Sequence, residues 1–161
     1  MNFKGGNAGA TSIHAKSHNA DKAFVLQKPG NTPWANNMGQ KLPQIVWYKF
    51  PQALKVGKFA FASRIDCCLK QSPRSFEFVG SNDCKHWKSL LSINTQFTKK
   101  AQEKVWTIPK DNRQTFSCFG IRVTKVSSGP FAAIQNFKMW MEGKGGEKIF
   151  RVRARMRVRY Y

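Results

Sequence analysis

Between Phe24 and Trp140 the apolar residues fall in short runs, several of them alternating with polar ones, and Pro, Gly, Asn and Ser cut each run from the next. No stretch carries the sustained stripe at three-to-four-residue spacing that a helix needs, so the pattern predicts strands. Gln44–Phe50 is almost continuously apolar and meets Pro51, as a strand covered on both faces would. In Gly57–Ile65 the two-residue period puts Phe59 and Phe61 on one face and turns Lys58 away. Ser75–Gly80 sets Phe76 and Phe78 inward and Glu77 outward, and Thr115–Val123 stacks Phe119, Ile121 and Val123 opposite Arg122. Ala133–Met141 closes the series. Several such strands separated by turns predict an all-β sandwich or jelly roll.

The segments around this block differ in kind. Residues 1–17 are rich in Gly, Asn, Ala and Ser without periodicity, which predicts a flexible lead-in with few core contacts. The domain then occupies 18–142, and 143–161 forms a basic tail. In that tail Arg151, Arg153, Arg155, Arg157 and Arg159 hold every second position, so an extended chain would line them on one face as a polyanion-binding edge. Turn-rich loops lie at Lys28–Gly39, Gln71–Pro73 and Ser127–Pro130, where binding residues on a β-scaffold usually sit.

Charge narrows the choice of partner. The 161 residues carry 28 Lys and Arg against 8 Asp and Glu, a formal +20, and the chain before Gly143 alone keeps +14. That sign favours anionic partners, among them sulfated or acidic glycans, acidic lipid surfaces and nucleic acid. No helix-turn-helix, ribonucleoprotein strand motif or zinc-finger spacing points to a sequence-specific nucleic-acid reader. No apolar run is long enough to span a bilayer and no export signal opens the chain. Four cysteines (Cys67, Cys68, Cys84, Cys118) allow two disulfides and a secreted protein, with Cys84–Cys118 as one pairing; reduced thiols in a cytoplasmic protein are the alternative. Catalytic signatures are missing: there is no nucleophile elbow, paired-carboxylate motif or phosphate-cradling glycine loop, which predicts a protein that is not an enzyme. His14 and His18 sit in a polar stretch that reads as solvated, and no metal-ligand spacing stands out.

The densest chemistry lies in Arg64-Ile65-Asp66-Cys67-Cys68. An Arg with an Asp two places on sets donors and acceptor side by side, which suits a polyhydroxylated ligand. Adjacent cysteines, if oxidised, close a small ring that stiffens the loop and offers an apolar patch; the bland alternative is a surface ion pair beside two buried thiols.

Five landmarks in order carry a resemblance: Asn31-Thr32-Pro33-Trp34; Leu42-Pro43-Gln44-Ile45-Val46-Trp47-Tyr48-Lys49-Phe50; Ser75-Phe76-Glu77-Phe78-Val79-Gly80-Ser81-Asn82-Asp83 followed by Trp87; Phe119-Gly120-Ile121-Arg122-Val123; and Ile134-Gln135-Asn136-Phe137-Lys138-Met139-Trp140. Together they resemble the discoidin, or coagulation-factor type C, domain over roughly residues 18–142. The resemblance implies an eight-stranded antiparallel jelly roll of the galactose-binding-like class with its ligand loops at one end. Arg64-x-Asp66-Cys67-Cys68 is similar to the fucose-binding loop of F-type lectins, in which the Arg bonds sugar hydroxyls, the Asp orients it and a vicinal disulfide stacks on the ring. The chain departs from that pattern at Gln71, where the lectins carry a second basic residue, with Lys70 and Arg74 nearby, and at Gly39, where they carry a His. Val25-Leu26 stands where the family has Asp-Gly, so the loop residues do not support a structural calcium, and no cofactor is expected.

The resulting expectation is a glycan-binding module whose site comprises Arg64, Asp66, Cys67, Cys68, Lys70 and Arg74, together with Asn31, Trp34, Asn36 and Asn37 of the long loop. The alternative is a module for acidic membranes or polyanions used in adhesion; an extracellular or secreted protein is expected, with a cytoplasmic one as the alternative.

Overall fold

The computed structural model describes residues 6–26 and 28–143, and the backbone of 146–150. The strands are β1 (Asn7–Ala10), β2 (Trp34–Ala35), β3 (Gln44–Ala62), β4 (Pro73–Ser81), β5 (Lys88–Asn94), β6 (Glu103–Thr107), β7 (Phe116–Val126), β8 (Ala133–Gly143) and β9 (Gly146–Phe150). All pairings are antiparallel. Strands β1 to β8 build the all-β sandwich expected from the sequence, and β9 extends it along β8.

One layer runs β1–β3–β7–β4–β5 and the other β6–β3–β8, with β2 and β9 on the free side of β8. Strand β3 belongs to both. Its first half pairs with β7, Gln44 beside Val123, and its second half with β8 and β6, Ala62 beside Gln135 and Glu103. Because β7 and β8 are joined by the short loop 127–132, both ends of β3 lie at the same end of the sandwich, and the chain crosses between layers at 50–54. The sequence predicts a break at Pro51; instead the extended chain continues. Pro51 falls in the register shift between Lys49 and Leu54, where no ladder bond to β7 requires its missing N–H.

Alternation does the rest. Phe59 and Phe61 from one layer meet Phe76 and Phe78 from the other, and Phe119 stacks on Phe78, all essentially inaccessible to solvent. Phe59 stacks on Phe78 at 4.3 Å and on Trp106 at 5.3 Å, and Phe61 meets Phe76 edge-on at 5.1 Å. Each such ring contributes roughly 1.5–3 kcal/mol of burial. On the outer face, Glu77 and Arg122 lie opposite each other in register and form an ion pair at 2.6 Å, as their alternation predicts.

The lead-in expected over 1–17 is not what residues 7–13 do. Asn7–Ala10 pair with Lys49–Val46 as β1, and Ala8, Ala10 and Ile13 pack on the core. Gly9 is needed there because the Trp47 ring lies across its α-carbon, and Gly120 on the other side is needed because a Cβ would stand 2.6 Å from the Val46 carbonyl. The tail boundary moves too: β8 runs to Gly143, and Gly146–Phe150, placed by sequence in the basic tail, hydrogen-bonds to it.

Candidate functional site

The end of the sandwich where β3 starts and finishes gathers the loops 36–43, 63–72, 95–102 and 127–132. Loop 63–72 is tied down before it reaches Arg64. Buried Ser63 donates from Oγ to the Lys99 carbonyl (2.7 Å), accepts from the Gln102 amide (3.0 Å) and gives its own carbonyl to Gln135 Nε2 (2.7 Å). The Arg64 carbonyl accepts from the Ala101 amide at 3.1 Å.

The Arg64 guanidinium is then fixed in plane. Nε and Nη2 donate to the two Asp66 carboxylate oxygens at 2.8 and 2.6 Å, and Nη1 donates to Gln71 Oε1 at 2.8 Å. A guanidinium has five N–H bonds. The remaining two, one on each terminal nitrogen, have no acceptor among the described residues. About one tenth of the side chain reaches solvent. Hydrogen bonding to Arg64 pulls the Asp66 carboxyl down to about 2 against the opposing effect of burial, so the pair is fully charged at neutral pH. Lys100 Nζ caps the Asp66 carbonyl at 3.2 Å.

Cys67 and Cys68 are joined in a vicinal disulfide, their Cα atoms 3.7 Å apart, with Cys68 in the left-handed region at φ 59°. A non-glycine residue seldom sits there without a constraint, and the small ring supplies it. The chain continues into a single 3-10 turn at Leu69–Gln71, which places the Gln71 side chain against Arg64. Amides of the neighbouring loop lock this arrangement, Ser128 onto the Lys70 carbonyl at 2.9 Å and Ser127 onto that of Ser72 at 3.3 Å. Cys84 and Cys118 form the second disulfide, at the opposite end.

The structure brings to this loop a group that the sequence places apart. A 3-10 turn at Lys16–His18 carries His18 into the electrostatic reach of both Arg64 and Asp66. Burial lowers its proton affinity first, the Arg64 and His14 charges add to that, and Asp66 opposes them. His18 Nδ1 lies 3.0 Å from Ser17 Oγ. His14 meets the His18 ring at 5.3 Å and the Phe131 ring at 4.8 Å, both edge-on. No spacing rule finds this approach, because His18 and Arg64 come from distant segments; the polar stretch around the histidines by itself predicts solvated side chains.

Other expected residues do different work. Trp34 is fully buried in β2 and its Nε1 donates to the Ser12 carbonyl at 3.1 Å, so it is a core residue and not a stacking platform. Asn36 is equally buried: Oδ1 accepts from the Ala132 amide at 2.6 Å and Nδ2 donates to the Asn37 carbonyl at 3.0 Å, which clamps loop 127–132 and leaves nothing for a ligand. Asn37 and Asn31 bond within their own loop, Asn37 Oδ1 accepting from the Gly39 amide (2.9 Å) and Asn31 Nδ2 donating to the Leu26 carbonyl (3.4 Å). Lys70 is exposed beside Arg64, while Arg74 is half-buried at the start of β4. Arg151, Arg153, Arg155, Arg157 and Arg159 lie outside the described residues. Calcium needs six to eight oxygen ligands. Val25 and Leu26 offer no side-chain oxygen, Asp21 is the one carboxylate of that segment, and among the described residues no cluster of three metal-ligating side chains occurs. Asp21 Oδ1 is buried there without a hydrogen-bond partner among the described residues.

No protein-family model and no curated protein sequence matches the chain. Solved structures do match in fold. A Clostridium perfringens family 32 carbohydrate-binding module (CpGH89CBM32-5), in complex with GalNAc-β-1,3-galactose, superposes with a TM-score of 0.68 at 16% identity, over 83% of this chain and 94% of that one. The family 32 module of C. perfringens NanJ, in complex with galactose, gives 0.65 at 20% identity over 83% and 92%. The family 32 module of AlyQ, in complex with 4,5-unsaturated mannuronic acid, gives 0.62 at 14% over 83% and 92%. The fold is the galactose-binding-like β-sandwich shared with these modules.

Proposed function

We propose that this chain is a non-catalytic carbohydrate-binding module that takes a glycan at the loop end of the sandwich. The observation that carries the reading is the Arg64 guanidinium, held by Asp66 and Gln71 with two N–H bonds left over. A pre-oriented pair of donors matches adjacent hydroxyls or a carboxylate of a sugar, and the cost of ordering the side chain is met before binding. The Cys67–Cys68 ring supplies an apolar face, and His18 stands in electrostatic reach of the same loop, with His14 against it and Phe131 against His14. The fold neighbours captured with sugars support this reading.

Charge refines the substrate. Arg64, Lys70, Lys99 and Lys100 share these loops with the single acidic residue Asp66, whose carboxylate Arg64 bonds and whose backbone carbonyl Lys100 bonds. An acidic glycan, such as a uronate or sulfated sugar, suits that balance better than a neutral one. Two disulfides accord with a protein working outside the reducing cytoplasm.

A glycan array probed at physiological salt with the wild type and Arg64→Ala tests the assignment. Discrete acidic hits lost in the variant are expected. A blank array together with binding to phosphatidylserine vesicles would replace the glycan reading with a membrane one.

A further inference from the structure

Loop 127–132 is held from two sides. Ser127 and Ser128 bond to Ser72 and Lys70 of the Arg64 loop, while Asn36 grips the loop from the other side through the Ala132 amide (2.6 Å) and the Pro130 carbonyl (3.4 Å). Between these anchors Gly129 turns the chain at φ 82°, a conformation that glycine adopts without penalty. The segment Ser128–Pro130 is thereby a fixed ridge. Its first side faces the Arg64 loop.

On its second side lies an open cleft of about 300 Å³, lined by Met38, Gln40, Lys41, Leu42, Gly129 and Pro130. Its volume is at the small end of the range for ligand sites, room for one ring and not for a drug-sized molecule. The lining has the two parts a pyranose needs. Met38, Leu42 and Pro130 offer apolar surface to the C–H face of a ring, and Met38 is 61% exposed. The Gln40 amide and the Lys41 ammonium stand beside them to meet hydroxyls or an acid group.

We propose that this cleft is a second sugar subsite, occupied by the next residue of the same acidic glycan whose first residue sits at Arg64. The inference rests on the glycan reading above and adds that the ligand is a chain, bound astride the 128–130 ridge. Continuity supports the occupant: Ser128 is hydrogen-bonded into the Arg64 loop, and the adjacent Gly129 already lines the cleft. Lys41 continues the positive charge of Lys70 and Lys100 across the ridge, so a repeating acidic unit would find a cation on either side.

The test is calorimetric titration with four probes: galacturonic acid, tetragalacturonic acid, galactose and a galactotetraose, against wild type, Met38→Asp and Lys41→Glu. Both substitutions are at exposed positions and leave the core untouched. The expected result is a tetramer bound at least tenfold tighter than its own monomer. In Met38→Asp that gain falls below threefold, while monomer affinity stays within twofold of wild type. Lys41→Glu is expected to weaken the acidic tetramer by at least fivefold and to leave the monomers unchanged. Monomer binding with no gain on lengthening, or a gain that survives both substitutions, overturns the subsite and leaves the Arg64 site standing. Binding by none of the four probes overturns the glycan reading and the subsite with it.

Discussion

Replacing Arg64 by Ala removes a side chain whose fold-supporting and ligand-facing bonds can be counted separately. Three N–H bonds serve Asp66 and Gln71, and two remain for a ligand. A hydrogen bond to a charged group contributes about 1.5–3 kcal/mol, so the loss of even one to the sugar weakens binding by roughly tenfold to 150-fold. The fold loses less. Asp66 is 39% exposed and rehydrates when its partner goes, which limits the cost to about 1–2 kcal/mol. In a domain of this size that lowers Tm by roughly 2–8 °C. Titration of an array-identified glycan, paired with a circular-dichroism melt, reads both quantities. Arg64→Lys belongs beside it: an ammonium keeps the charge but cannot span both Asp66 oxygens and Gln71, so intermediate affinity is expected. A folded Arg64→Ala that binds within twofold of wild type would refute the argument.

Trp34→Ala should destabilise by about 3–5 kcal/mol, as loss of a buried ring does, and a melt followed by binding below its Tm should show unchanged affinity in the folded fraction. The two disulfides should part company: Cys84–Cys118 closes a span of 34 residues, so its double Ser variant should lose about 3–4 kcal/mol. Cys67 and Cys68 are adjacent and close no chain loop, so the corresponding variant should melt within a few degrees of wild type yet bind glycan at least fivefold more weakly. Acid should act through Asp66, whose folded value near 2 lies below its ordinary 3.8. A depressed carboxyl stabilises the ionised loop above pH 4 and loses that contribution as pH falls from 4 towards 2. Affinity measured on a ligand without an acid group should therefore survive acidification to about pH 3 and fall as the pH nears 2, where folded Asp66 takes up its proton; affinity unchanged at pH 2 in a folded protein would contradict the assignment.

How far the sequence discloses this molecule depends on which force fixes each part. The sandwich is legible because Phe59, Phe61, Phe76, Phe78, Phe119 and Ile121 alternate with polar residues and are buried as the period predicts. Strand β1 is not, because it contributes backbone hydrogen bonds and a glycine floor for Trp47, neither of which leaves an apolar pattern. The passage of β3 through Pro51 is hidden for a related reason: proline breaks a ladder only where a ladder bond is required. At the site, the adjacency of Arg64, Asp66 and the cysteine pair is written in the chain. The approach of His18 to Arg64 and Asp66 is made by tertiary packing and has no local signal. Trp34 and Asn36 show the converse, since polar and aromatic residues in a turn-rich loop suggest ligand contact while burial assigns them to holding the loops in place.

The central claim, that a glycan is held at the loop end by a pre-oriented Arg64, is tested most directly by amide-resolved NMR titration with the strongest array hit. The account predicts shifts concentrated in residues 14–18, 64–72 and 127–131, with the Arg64 Nη–H signals among the largest. Shifts confined to the sheet faces or to the basic tail, with the Arg64 signals unmoved, would contradict it.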